Sequence, residues 1–191
     1  MSNRRLRANA ALNQLLRRAI RIMASDIIYT PLAEQDLDEL AAVLLNESVY
    51  EHIGGVPSQD DFKLHLRRVM EGPPSTRNDE QWLNYVARLS STGQILGRLE
   101  ATLHDGLAEV AFLYDPQNWG NGYAKQGLLW LHAQIQSYEK ISTFWGSTAP
   151  ANVRSAALLN RCGYVKVSSS GLPRLYSYDT GDYVFSRPSA A

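Results

Sequence analysis

The chain has 191 residues, 45% hydrophobic and 9% aromatic, enough for one domain with a real core and too few for two comfortable ones. Its one cysteine rules out an internal disulfide, and with four scattered histidines it offers no zinc-type cluster, so no metal is expected. No apolar run approaches the ~18 residues of a membrane span, and the chain suits a reducing cytoplasm.

The formal net charge of zero hides an asymmetry. Residues 1–25 carry six arginines, at positions 4, 5, 7, 17, 18 and 21, and no acid; residues 26–191 therefore carry 13 basic and 19 acidic side chains, a net of −6. An acidic body concentrates cations such as protonated amines and argues against nucleic acid as its partner, although solubility alone explains it equally well. In the leader, Leu12, Leu15, Leu16, Ala19, Ile22 and Met23 share one helical face. An organellar transit peptide, a surface-binding or dimer-forming helix, and a true start at Met23 all fit this pattern. The preferred reading is a basic amphipathic extension over 1–25, flexible or peripherally docked, before a single domain over 26–191.

Ile27 to Thr30 reads as a first strand ended by Pro31. Glu34 to Leu45 reads as a helix with Leu37, Leu40, Ala41, Leu44 and Leu45 on one face. A loop from Asn46 to Pro57 contains Tyr50, His52 and two glycines. Ser58-x-x-Asp61 is a capping arrangement for a helix over 59–71. Gly72-Pro73-Pro74 ends it and opens a loop. Trp82 to Leu89 and Gln94 to Leu103 form an expected hairpin, and Leu107 to Tyr114 the next strand. Lys125 to Gln136 has helical spacing, Ser142 to Ser147 reads as a strand, and Asn152 starts a helix that Gly163 ends. A strand follows over 164–167. Arg174 to Ser186 reads as a final hairpin or strand pair around Asp179-Thr180-Gly181-Asp182. His65 and His132 fall within helical patterns and read as structural, and His104 as a turn residue. Cys162 reads as a small buried thiol. This order of elements implies a mixed, mostly antiparallel sheet with helices on both faces.

The most informative stretch is Trp119-Gly120-Asn121-Gly122-Tyr123-Ala124, a Gly-rich loop joining a strand end to a helix start. There, free backbone amides and the positive end of a helix dipole suit a phosphate or pyrophosphate. Gly120, Gly122 and Ala124 clear Cβ atoms from one side at every second position. It is not a dinucleotide fingerprint, since Lys125 stands where the third glycine belongs, nor a P-loop, since no Gly-Lys-Ser/Thr follows.

With the second segment, Asn152-x-x-Ser155…Cys162-Gly163-Tyr164, the pattern resembles the GNAT superfamily of acetyl-CoA-dependent N-acetyltransferases. Ala108-Glu109, Trp119 and Asn152-x-x-Ser155 resemble its RimJ/RimL-like branch. The match is strong over about 107–167, weaker over 27–106 and absent over 1–25. The resemblance implies an α/β acyl-CoA N-acyltransferase fold in which the fourth and fifth strands splay apart to admit the pantetheine arm. It implies backbone contacts to pantetheine from Phe112, Leu113 and Tyr114, with the Phe112 N–H nearest the acetyl oxygen. The loop Trp119, Gly120, Asn121, Gly122, Tyr123, Ala124 and Lys125 would hold the pyrophosphate, and the Asn152 side chain would contact the arm.

Acetyl transfer needs a proton acceptor for the amine, a donor for the thioester oxygen and a proton for the departing sulfur. Glu109, at the family's Glu position, is the candidate base, and Ser155 the candidate for assisting the sulfur. A solvent-facing strand Glu and an ordinary first-turn Ser are the simple alternatives. Alternation puts Glu109, Ala111 and Leu113 on one face of the strand and Val110, Phe112 and Tyr114 on the other, unless a bulge intervenes. Leu159 stands where many members carry a Tyr general acid. Tyr114, Tyr123 and Tyr50 are substitutes the sequence does not rank, and His52 is a candidate acceptor-pocket group. The expected acceptor is an amine-bearing small molecule or a protein N-terminus, with a homodimer left open. The rival function is a catalytically silent acyl-CoA-binding or regulatory module; a weaker one has the basic leader docking the domain on ribosome, RNA or membrane.

Overall fold

The computed structural model describes residues 26–77, 79–136, 138 and 140–189; the expected extension over 1–25 lies outside the described residues. Seven strands form one sheet: β1 (Ile27–Pro31), β2 (Gln81–Leu89), β3 (Ile95–His104), β4 (Leu107–Tyr114), β5 (Thr143–Thr148), β6 (Val165–Val167) and β7 (Tyr183–Pro188). Their order is β1-β2-β3-β4-β5-β7-β6, and only β4 and β5 run parallel. The α-helices are α1 (Leu37–Leu44), α2 (Glu47–Tyr50), α3 (Gln59–Glu71), α4 (Tyr123–Ile135) and α5 (Val153–Arg161).

Two apolar cores lie against the sheet. Leu128, Leu131 and Ile135 of α4 and Leu158 and Leu159 of α5 pack with Leu99, Ala101, Val110, Phe144 and Phe185. Leu37, Leu40, Ala41 and Leu44 of α1 and Phe62 and Leu66 of α3 pack with Val86 and Ile95. Polar anchors fix α1: Arg88 bonds the buried Asp36 at 2.6 Å, and the Ile95 amide donates to Glu39 at 2.8 Å. Ser58 caps α3 as its sequence predicts, its Oγ accepting the Asp61 amide at 3.1 Å.

Asp105 and Gly106 both have positive φ, 47° and 75°, as a two-residue hairpin turn requires. That turn sets His104 opposite Leu107, Thr102 opposite Glu109 and Glu100 opposite Ala111. The pairing of β3 with β4 is continuous to Gly97 and Tyr114, so β4 has no bulge there; the irregularity lies in β2, at Ala87/Arg88. The alternation expected for β4 therefore holds: Val110, Phe112 and Tyr114 join the α4/α5 core and Leu113 the α1/α3 core.

Two elements differ from the sequence reading. The 46–57 loop contains α2, started by Asn46, whose side chain accepts the Ser48 amide at 2.8 Å. The tail is not a hairpin of its own. It forms one strand, β7, inserted between β5 and β6, while residues 174–178 leave the sheet. The amides of Tyr176 and Ser177, which a hairpin would have used in a ladder, go to the Glu109 side chain.

Candidate active site

The parallel pairing of β4 with β5 covers only Leu107–Thr143, Ala108–Phe144 and Glu109–Trp145. Beyond Glu109 the strands part, and Val110 to Tyr114 have no pairing partner on that side. Phe112, Leu113 and Tyr114, the expected pantetheine contacts, lie on this open edge. An open edge in mid-sheet is a place for another extended chain to pair.

Past β4, Asp115 caps a 3-10 turn, accepting from the Gln117 amide and the Asn118 side chain. The Trp119 indole N–H donates to the Tyr114 carbonyl at 2.8 Å, folding the loop back on the strand end, and the Arg154 guanidinium lies 4.7 Å above its ring. Gly120 and Gly122 adopt left-handed φ of 82° and 79°, and a Cβ on either would project into open space. The backbone amides from Gly120 to Lys125 have no acceptor among the described residues; those of Tyr123 to Lys125 are the orphan donors at the start of α4. Six consecutive free donors at a positive helix end form an anion cradle.

Across the gap, Asn152 is the N-cap of α5, its Oδ1 accepting the Ser155 amide at 3.1 Å. That leaves its Nδ2 donors for a ligand. Ser155 sits half-buried in the first turn of α5. The cradle, the open edge of β4 and the start of α5 thus surround one cleft between β4 and β5. These features suit a pyrophosphate followed by an extended, amide-bearing arm.

A cavity of about 180 Å³ opens on the face carrying Glu109. It lies between Glu100 and Thr102 of β3, residues 109–111 of β4, and Tyr176 and Ser177 of the tail. It reaches Val110 and Ala111, the first residues of β4 beyond its last pairing with β5. Glu109 is buried and heavily bonded. Its Oε1 accepts from the Tyr176 amide at 2.7 Å and meets His104 Nε2 at 2.7 Å; its Oε2 accepts from the Ser177 amide at 2.8 Å and from the Ser177 hydroxyl at 2.5 Å.

His104, expected in a turn, is instead the buried last residue of β3, between Glu109 and Asp105, whose Oδ2 lies 3.0 Å from Nδ1. A carboxylate only accepts, so His104 Nε2 is the donor toward Glu109. Register is the signal that would have found it, since the Asp-Gly turn places His104 and Glu109 on one face. Glu100 was missed for the same reason. Its Oε2 pairs with the buried Arg98, and its Oε1 makes no hydrogen bond among the described residues. Burial lowers Arg98 to a pKa of about 10, which leaves it cationic at neutral pH.

The remaining candidates lie elsewhere. Leu159 is core, packed beside Gly146. The Tyr114 hydroxyl is buried under α4 beside Gly127, and burial raises its pKa well above the usual tyrosine range. His52 lies 3.8 Å from Glu51 and does not line the cavity. His132 is structural, as expected: Arg187 donates to Nδ1, so Nε2 carries the proton toward the Tyr164 hydroxyl at 2.7 Å.

Residues 26–165 match the family model for the acetyltransferase (GNAT) domain. No curated protein matches the sequence significantly. Among solved structures, a GNAT-family acetyltransferase from Bacillus anthracis is 14% identical, with a TM-score of 0.70 over 87% of this chain and 96% of that one. The Salmonella typhimurium acetyltransferase that modifies the N-terminal serine of 50S ribosomal subunit protein L7/L12 is 17% identical, with a TM-score of 0.68 over 86% of this chain and 96% of that one. Spermidine N-acetyltransferase from Vibrio cholerae, solved with CoA and spermine, is 14% identical, with a TM-score of 0.66 over 87% of this chain and 97% of that one. At these identities the likeness is one of fold.

Proposed function

The chain belongs to the GNAT acetyltransferase family, and from that premise we propose that it transfers an acetyl group from acetyl-CoA to a primary amine, on a small molecule or a protein N-terminus. The observation that carries the reading is the run of unpartnered amides from Gly120 to Lys125, continuous with the open edge of β4. Acetyl-CoA supplies an activated acetyl thioester, which the amine converts to an amide as CoA leaves as the thiol.

This chain's residues contribute mainly by alignment. The amides of 120–125 hold the pyrophosphate, and the free edge at Phe112, Leu113 and Tyr114 pairs with the pantetheine arm. Trp119 fixes the loop to the strand, and the Asn152 Nδ2 faces the arm. The Phe112 N–H is the donor for the acetyl oxygen. The amine gives up its protons to solvent, and Ser155, at the far wall of the cleft, passes one from solvent to the sulfur. The amine enters through the cavity beside Ala111, which Glu109 and Glu100 line with carboxylates. Ala108-Glu109, Trp119 and Asn152-x-x-Ser155 support a place in the RimJ/RimL-like branch. Among the described residues no helix is long and apolar enough to cross a membrane, and we take the enzyme to be cytoplasmic.

The burial of Leu159 favours one second reading, an acyl-CoA-binding module without turnover, because the family's usual acid is missing there. A free-thiol release assay separates the two. Acetyl-CoA is incubated with spermidine, a peptide with a free N-terminal serine, or an aminoglycoside. Acceptor-dependent thiol release is the expected result. CoA binding without release for any acceptor would favour the silent module, and no CoA binding would end both readings.

A further inference from the structure

We propose that Glu109 is a positioning residue, which ties the tail to the sheet and builds the wall of the acceptor cavity, and that Glu100 is the carboxylate left to meet the amine. This rests on the acetyltransferase reading. Four donors point at the two Glu109 oxygens: the amides of Tyr176 and Ser177, the Ser177 hydroxyl and His104 Nε2. A carboxylate has about four lone-pair sites. To take a proton from the amine, Glu109 would first have to give up one of these four hydrogen bonds, two of which hold the backbone of the tail.

The tail has no ladder of its own in this segment, yet it is held at several points. The Tyr176 ring lies 4.6 Å from that of His104. The Tyr176 hydroxyl bonds the Glu80 carboxylate, and that bond raises the tyrosine pKa. The Ser177 carbonyl accepts from the Ser147 hydroxyl of β5. Glu109 joins these contacts to β4, one residue from the cavity floor at Val110 and Ala111. The cavity's tail wall consists of the two residues whose amides Glu109 holds.

Glu100 differs on each point. It is half-exposed in the cavity, and among the described residues it pairs only with Arg98, which occupies one oxygen. Its free Oε1 is available to an ammonium group. Glu100 sits opposite Ala111, level with the stretch of β4 that has parted from β5.

Glu109→Gln tests the division directly. In either orientation of the amide, an NH2 group faces a backbone N–H, so Tyr176 or Ser177 loses its acceptor. We expect hydrogen–deuterium exchange over 174–178 to rise at least tenfold, the KM for spermidine to rise, and acetyl-CoA affinity to stay unchanged. Glu100→Gln should raise the spermidine KM at least tenfold with exchange over 174–178 as in wild type. If Glu109→Gln does not fold, Ser177→Ala removes one donor and should raise exchange over the same segment by a smaller factor. Wild-type exchange in Glu109→Gln or, failing that variant, in Ser177→Ala would overturn the tether. So would loss of kcat at saturating spermidine in Glu109→Gln with exchange intact, which would make Glu109 the base. A wild-type spermidine KM in Glu100→Gln would overturn its role. Should wild type fail to bind acetyl-CoA, the enzymatic reading falls, and the exchange comparison still decides the tether.

Discussion

The carboxylate of Glu109 on β4 accepts the backbone amide of Tyr176 from the tail at 2.7 Å, across 67 residues of chain. A residue whose type and position suggest proton transfer is thereby committed to holding a loop. Its neighbour on the same face, Glu100, has the freer carboxylate. What each can do is decided by its hydrogen-bond partners more than by its identity.

Acetyl-CoA should stabilise the protein by about 2.7 kcal/mol at one hundred times its dissociation constant. Gly122→Val should abolish that gain, because its side chain projects into the cradle. Gly122 has a φ of 79°, so the variant also carries roughly 1–2 kcal/mol of backbone strain. The shift must therefore be read against the variant's own unliganded melting temperature. A full shift in Gly122→Val would remove the pyrophosphate assignment.

Asn152→Ala should cost about 1 kcal/mol of stability, because Oδ1 caps α5 through the Ser155 amide. Asn152→Asp keeps the capping oxygen and replaces the free Nδ2 donor with an anion. Calorimetry should show weakened CoA binding in Asn152→Asp with stability near wild type. Unchanged affinity would reduce Asn152 to a helix cap.

Acid should destabilise the protein through His132. Burial first, and the Arg187 charge second, depress its pKa from 6.5 to about 3. The unfolded chain therefore takes up a proton below pH 6.5 that the folded state refuses until about pH 3. Stability is fully present above pH 6.5 and falls as pH drops, by at most about 1.4 kcal/mol per unit from this group. Urea melts at pH 7.5, 6 and 5 should show a shallower pH slope for His132→Gln than for wild type. Identical slopes would mean that His132 takes up its proton at the same pH in the folded and unfolded chains.

Tyr114→Phe should be neutral or stabilising by up to about 1 kcal/mol. The buried hydroxyl has no partner among the described residues, and removing an unsatisfied group recovers its desolvation cost. CoA binding should not change, because the Tyr114 role is carried by the backbone. Gly127→Ala should destabilise, since its methyl would meet that hydroxyl and Leu99. The double variant should recover part of the loss. A loss of more than 1 kcal/mol in Tyr114→Phe alone would show that the hydroxyl has a partner.

Local chemistry made much of this molecule legible from its residues. Ser58 with Asp61 starts α3, and the glycines at 120 and 122 mark a loop that only left-handed backbone can make. These signals act within a few residues, where capping, turn sterics and periodicity operate, so no distant partner is needed to read them. The cleft's parts were visible for the same reason: each is the end of one element. The tertiary structure alone decided what crosses between elements. The splay after Glu109 depends on which strand β5 pairs with next, the insertion of β7 on a match between strands far apart in the chain. The His104–Glu109–Tyr176 contacts exist because a sheet face and a distant loop meet there, and a buried carboxylate takes whatever donors surround it. Residue type permitted either proton transfer or anchoring at Glu109, and packing supplied the four donors that distinguish the two.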